Sequence, residues 1–308
     1  MQLKKQKILI SAIALLVFIA IVLISIRLKK QAILFQGEKS DFSCGENAYY
    51  SYDSSNHIVT ITGTGTIDLT KGYHYMYDTI DRGYSEHDYD AVGELRFPDE
   101  TEKIIICEGI TGIKNSCGAN CRDIKGGATY EHLKEIVLPN SLTDLGTGCF
   151  ANQTSLEKIN IPNSIKIISS YAFYNCDKLY YISFPKSVRI IESNAFEKCA
   201  TLPEVKLQNV RYIGERAFQN CYNLKSIEID GGIPDLLAYT FDGCFNLQNV
   251  KLTDNIKVIE HSAFRNCKYI NRNKIYANVE SPHAYKWSEQ EKRKDLEEAK
   301  AEVNNETD

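Results

Sequence analysis

Apolar residues recur along residues 133–276 in one fixed frame, L-x-x-I-x-I-P-x-S-I-x-x-I-x-x-x-A-F-x-x-C. Leu133, Leu156, Leu179, Leu202, Leu224 and Leu247 open successive copies and Ile270 opens a broken last one, at steps of 23, 23, 23, 22, 23 and 23 residues. A fixed period of this length predicts a solenoid of stacked coils. In the copy at Leu156, Leu156, Ile159 and Ile161 predict a short strand with one face inward. Pro162-Asn163-Ser164 turns the chain, Ile165 and Ile168 return to the core, and Ala172, Phe173 and Cys176 close the coil. A proline ends the strand because it has no N–H to donate to a ladder. The small residue suits a close approach between coils, and the phenylalanine fills the centre. A single coil buries too little apolar surface to offset the entropy of ordering its backbone, so the coils are expected to fold as a cooperative stack.

The copy at Leu202 is one residue short. Its turn reads Gln208-Asn209-Val210, which places the deletion outside the core. Upstream, Ile104, Ile106, Ile110 and Ile113 take the inward positions of a degenerate first coil over Ile104–Cys121, in which Cys117-Gly118 replaces Ala-Phe. About ten residues from Arg122 to Glu131 then intervene before the frame resumes. Tyr49–Tyr52 and His57–Thr62 flank Asp53-Ser54-Ser55-Asn56 and predict a hairpin, placed to cover the open edge of the first coil. The Gly63-Thr64-Gly65 run lacks the G-K-S/T of a phosphate loop.

The hydrophobic spacing, the P-x-S turn, the A-F-x-x-C ending, and the C-G-E-N and T-I-T-G-T-G segments near Cys44 together resemble the BspA-like type of leucine-rich repeat over about Cys44–Trp287. The resemblance implies a leucine-rich repeat solenoid, right-handed, with a parallel β-sheet on its concave face and a small β cap at its N-terminus. It implies roles in adhesion or protein binding on bacterial surfaces, and no general catalytic residues.

Hydropathy changes the picture at the N-terminus. Residues 8–26, ILISAIALLVFIAIVLISI, carry no charge over 19 positions, which suffices to span a bilayer. No A-x-A cleavage pattern follows, so this stretch is read as an uncleaved signal anchor. Lysines and an arginine flank both ends, so the positive-inside rule does not decide the orientation. With the family resemblance, the expectation is a single-pass membrane protein with residues 1–7 cytoplasmic, 27–43 a linker, 44–100 the cap and a tyrosine-rich loop, 101–280 an extracellular solenoid, and 281–308 a C-terminal helix and tail. Ser281-Pro282 opens that helix, Trp287 is placed to lie on the last coil, and the charged tail beyond Leu296 is read as solvated.

Composition excludes more than it selects. A net charge of −4 over 308 residues gives no ground for a nucleic-acid partner, and no cofactor is expected. The loop with Tyr73, Tyr75, Tyr77, Tyr84 and Tyr89 is either packed along the cap or a contact loop. His74, His87, Asp88 and Asp90 within it lack metal-ligand spacing. Of ten cysteines, Cys121, Cys176, Cys199, Cys221, Cys244 and Cys267 share one repeat position, interrupted by Gln153. They read as buried thiols acting as small hydrophobes. The alternatives are disulfides, with Cys117–Cys149 as the candidate pair, or zinc at Cys117, Cys121 and Cys149.

The outward strand positions form two columns, Glu135, Lys158, Tyr181, Glu204, Ser226, Asn249 and Val137, Asn160, Ser183, Lys206, Glu228, Lys251. Their mixed charge argues against heparin-like polyanions. Lys158, Asn160, Tyr180, Tyr181 and Lys206 are the candidate binding residues, for a protein or glycan ligand at the cell surface. The alternatives are a merely solvated face and a scaffold for intracellular or envelope complexes. No nucleophile, base and acid stand apart from the repeat, so no enzyme is expected.

Overall fold

The structure is a computed structural model that describes residues 44–69, 97–114, 130–276 and 289–305. The apolar segment 8–26, the linker, the tyrosine-rich loop, Cys117, Cys121 and Trp287 lie outside the described residues. Among the described residues, no helix is long and apolar enough to cross a membrane.

Strands β1 (Gly45–Asp53) and β2 (Ile58–Ile67) form the expected antiparallel hairpin. Asp53 fixes its turn by accepting from the Ser55 N–H at 2.9 Å and from the Asn56 side-chain amide at 2.8 Å. β2 is long enough to start the solenoid twice. Its first half pairs in parallel with β3 (Lys103–Ile106) and its second half with β4 (Ile110–Ile113). The cap thus covers both ladders of the first coil.

From there two parallel ladders run along the stack. The main one continues through β5 (Glu135–Val137), β7 (Lys158–Asn160) and β9 (Tyr181–Ser183). It resumes as β11 (Glu204–Gln208), β13 (Ser226–Asp230) and β15 (Asn249–Lys251). The lateral one comprises β6 (Asp144–Leu145), paired to β4, then β8 (Ile167–Ile168), β10 (Ile190–Ile191) and β12 (Tyr212–Ile213), and finally β14 (Asp235–Leu236) with β16 (Val258–Ile259).

Each ladder has a break at a proline, and the lateral one also divides between β6 and β8, where Lys166 precedes the strand. In successive coils the residue before the main strand donates its N–H to its counterpart one coil earlier: Glu157 to Lys134 at 2.9 Å, Tyr180 to Glu157 at 3.1 Å, Lys225 to Pro203 at 2.8 Å, Gln248 to Lys225 at 3.0 Å. Pro203 holds that position between β9 and β11 and has no hydrogen to give the Tyr180 carbonyl, so the main ladder divides there. On the lateral ladder Arg189 donates to Lys166 and Arg211 to Arg189, but the next residue in the column is Pro234. β12 and β14 accordingly belong to separate sheets. Proline also shortens strands, although β15 stops at three residues with Thr253 at that position. Pro162 and Pro185 stop β7 and β9 at three residues, whereas Gln208 and Asp230 at the same position let β11 and β13 run to five. The one-residue deletion is absorbed here, with Asn209 at a left-handed φ of 64° and Leu207, Val210 and Ile213 all still buried.

The A-F-x-x-C arc supplies a third set of coil-to-coil bonds. Phe150, Phe173, Phe196, Phe218 and Phe241 each donate an N–H to the residue before the phenylalanine of the next coil, at 2.8–2.9 Å. The residues two before and two after each phenylalanine have left-handed backbone, and most of them donate forward as well. Gly148, Tyr171, Asn194, Arg216 and Tyr239 form one such column, and Asn152, Asn175, Lys198, Asn220, Gly243 and Asn266 the other. Asparagine and glycine dominate the second column because they tolerate that conformation best.

Side chains bond further carbonyls from coil to coil. The turn serines Ser141, Ser164 and Ser187 donate to Ile110, Leu142 and Ile165 of the preceding coil. Each described column thiol donates to the carbonyl of the phenylalanine one coil back, Cys176 to Phe150 and Cys199 to Phe173 at 3.2 Å, and onward to Cys267 to Phe241 at 3.2 Å. The cysteines are therefore hydrogen-bond donors as well as small apolar fillers. Down the centre, Phe173, Phe196, Phe218 and Phe241 stack with ring centroids 5.2–5.4 Å apart and planes within 8°.

Helix α1 (Arg272–Tyr276) is a single turn after the last coil, and α2 (Glu289–Asn305) follows. The expectation of a solvated tail is corrected. Leu296, Ala299 and Val303 pack on Ile167, Ile190 and Tyr212 of the lateral ladder, and Lys300 reaches the largely buried Glu192 at 2.7 Å. Three apolar residues spaced i, i+3, i+7 make one narrow seam in an otherwise charged helix.

Candidate binding surface

The outward face of the main ladder carries the two expected columns in register: Glu135 beside Lys158, Lys158 beside Tyr181, Asn160 beside Ser183, and Lys206 beside Glu228 beside Lys251. Its charges are consumed locally. Lys103 and Lys158 flank Glu135 at 3.1 and 3.2 Å, Lys206 pairs with Glu204 at 2.9 Å, and Lys251 pairs with Glu228. Partial burial alone would raise the Glu135 carboxyl, but hydrogen bonds and charge from the two lysines outweigh it and hold the carboxyl below the usual range.

Between these neutralised stretches stand Tyr180 and Tyr181, each 51% exposed. They border the break at Pro203. Of the five candidate residues, Lys158, Asn160, Tyr180 and Tyr181 lie together at adjoining strands. Lys206 lies across the break, tied to Glu204. A cleft of about 880 Å³ opens farther along, where Lys206, Ser226, Asn249 and Lys251 face Asn271 and Ile275 at α1. A second of about 700 Å³ lies at the Pro234 break, between Arg189, Arg211, Gly232, Asp235 and the α2 residues Glu298 and Ala299.

No described cysteine is poised as a nucleophile. Burial pushes the thiols of Cys44, Cys176 and Cys267 up to about 12, and those of Cys149, Cys199, Cys221 and Cys244 higher than the ordinary range. Such thiols are inert at neutral pH. Cys149 is free; its candidate disulfide partner Cys117 lies outside the described residues. Among the described residues no three His, Cys, Asp or Glu side chains are grouped to hold a metal ion.

Reading the strand columns alone missed the column that follows the repeat cysteine: Asp177, Ala200, Tyr222, Phe245, Lys268. Tyr222 and Phe245 stack at 5.4 Å with planes 4° apart and stay about 40% exposed. The signal was present as two aromatics one repeat apart at a position the hydrophobic frame leaves variable.

Comparison with solved structures places the fold beside a leucine-rich repeat protein of T. pallidum, at 20% identity over 78% of this chain and 98% of that one, with a TM-score of 0.53. A leucine-rich cell surface protein of Faecalibacterium prausnitzii matches at 18% identity over 76% and 77% of the two chains, TM-score 0.36. A leucine-rich repeat protein of Eubacterium ventriosum matches at 15% over 80% and 96%, TM-score 0.35. Comparison with curated proteins finds no match. The model of the BspA-type leucine-rich repeat region matches six copies over residues 128–233 and 206–290. With more than half of its 308 residues covered by that repeat, the chain belongs to the BspA-type leucine-rich repeat family.

Proposed function

We propose that this chain is a membrane-anchored, non-catalytic binding protein that holds its solenoid outside the cell and takes a protein or glycan ligand on the outward face of the main ladder. The observation that carries the reading is the exposed Tyr180–Tyr181 pair, set beside a proline-made gap in a sheet whose charges are otherwise paired. Tyrosines offer large, rigid contact area at low entropic cost and concentrate at interfaces. Lys158, Asn160 and Lys206 supply polar groups around them. Residues 8–26 supply the anchor, and the family supports recognition rather than catalysis.

Protease shaving of intact cells, followed by detection of the solenoid, tests the placement. Digestion from outside supports it, and protection until the membrane is breached moves the search for partners to the cytoplasm. For the site, a ligand found by screening surface proteins and glycans should lose affinity with Tyr181→Ala while the melting temperature holds. Unchanged affinity would remove Tyr181 from the site.

A further inference from the structure

The edge that leads from each repeat cysteine into the next main strand changes character along the stack. In the earlier coils it carries Glu157, Asp177 and Glu204 beside Lys158 and Lys178, with the exposed Tyr180 and Tyr181. In the last three it reads CYNLKS (221–226), CFNLQN (244–249) and CKYINR (267–272), with three basic residues and no Asp or Glu. This stands in a chain whose net charge is −4. Tyr222, Phe245 and Tyr269 on this edge are 41%, 40% and 63% exposed, half of the large apolar residues exposed among those described. Lys225 and Lys268 are exposed and make no ion pair among the described residues. Acids on adjoining columns are already engaged: Asp242 by Arg265, Gln219 and Asn266, Glu228 by Lys251, and Glu197 by Asn194. Free positive charge and apolar surface therefore coincide here and are not cancelled nearby.

We infer that this edge docks an acidic segment of a partner protein, one carrying leucine-sized side chains between its carboxylates. Ring geometry at Phe245, the centre of this edge, selects against a sugar. Stacking of a pyranose needs an open aromatic face, yet one face of Phe245 is covered by Tyr222 and the Lys268 ammonium sits over the ring, 5.6 Å from its centroid. Phe245 presents its edge instead, and aromatic edges carry the positive end of the ring quadrupole. Carboxylates meet those edges and the two lysines, and apolar side chains lie along the stack. Asn223 and Asn246, joined side chain to side chain at 3.4 Å, and Gln248 offer amides to an extended backbone. This surface lies farther along the same edge as Tyr180 and Tyr181, with Lys225 and Gln248 in the column of Tyr180, and it stands whether or not the tyrosine pair binds a ligand.

The test uses the full-length chain in zwitterionic lipid nanodiscs and a fluorescein-labelled dodecapeptide in which pairs of glutamates separate single leucines. The same peptide with glutamine for glutamate is the neutral control, and a hyaluronan oligosaccharide is the anionic sugar. The acidic peptide should bind at least about tenfold more tightly than the neutral one and weaken as salt rises. Lys268→Glu, and separately Tyr222→Ser with Phe245→Ser, should each cost about tenfold or more, with Tyr181→Ala without effect. Lys268→Glu leaves the ring stack in place, so it remains informative if the double substitution melts early. Failure of the acidic peptide to bind, equal binding of the neutral peptide, indifference to Lys268→Glu, or hyaluronan binding lost in the same variants would each overturn the assignment.

Discussion

Pro203 faces the carbonyl of Tyr180 at the one step between Lys134 and Gln248 where the residue before the main strand has no N–H to donate. The exposed tyrosine pair and the break in the sheet are thus two consequences of neighbouring positions. Pro203→Ala restores a donor. A backbone hydrogen bond adds about 1 kcal/mol, while losing proline's restriction of the unfolded chain removes about 0.4–1 kcal/mol. The melting temperature should therefore barely move. Native-state hydrogen exchange is the discriminating measurement. The amide introduced at position 203 should be protected to the degree of the Lys225 amide, and rapid exchange there would show that the gap has another cause.

The thiol column makes a prediction about chemistry and one about stability. Iodoacetamide at pH 8 on the folded protein should label Cys107 before Cys44, Cys149 or any described member of the column. Cys107 is the one described thiol of intermediate exposure, although burial and Glu108 raise its pKa as well. Peptide mass mapping reads the order, and early labelling of Cys199 would contradict the packing. Cys199→Ala removes both the sulfur and the donor to the Phe173 carbonyl and should cost about 1–3 kcal/mol in denaturant unfolding.

The skeleton of this fold was legible because its period is long and its apolar positions are redundant. Leu156, Ile159, Ile165, Phe173 and Cys176 are each repeated in copies whose spacing differs by at most one residue, and all five are buried. What went unread depends on hydrogen bonds rather than hydrophobicity. The variable position before each cysteine is left-handed, so Asn175, Asn220 and Asn266 recur there for a backbone reason that a hydrophobic frame does not contain. The break at Pro203 requires knowing which N–H in the coil faces its neighbour. At the candidate site, Tyr180 and Tyr181 could be picked out as outward residues, but the pairing of Lys206 with Glu204 could not, since both lie on one strand with the same sign alternation as their neighbours.

Glu135, held between Lys103 and Lys158, sets a pH dependence. Its folded carboxyl is shifted below the usual range, so its contribution is complete above the unfolded pKa and is lost as pH falls through the folded value. The pair is partly exposed, which limits the contribution to below about 1 kcal/mol. Glu135→Gln should lower the melting temperature slightly at pH 7, and the difference should shrink toward zero as pH falls through the folded value of the carboxyl. Thermal melts across that range check it, and a difference that persists undiminished at low pH would assign the effect to packing.

Docking of α2 on the lateral ladder is the least expected contact and the easiest to undo. Val303 is 3% exposed against a surface that includes Ile190, and Lys300 bonds Glu192, whose other partners are the N–H and hydroxyl of Ser170. Val303→Asp puts a carboxylate into the apolar seam and forfeits about 1.5–3 kcal/mol of side-chain burial, comparable to what a helix with three seam residues can hold. The helix should then leave the ladder. Its amides should lose exchange protection while those of β8 to β12 keep theirs, because the coils are joined by their own backbone bonds. Glu297→Gln, on an exposed position of the same helix, controls for changes in helix propensity. Continued protection of α2 in the Val303→Asp chain would mean that Lys300 and Glu192, rather than the apolar seam, hold the helix in place.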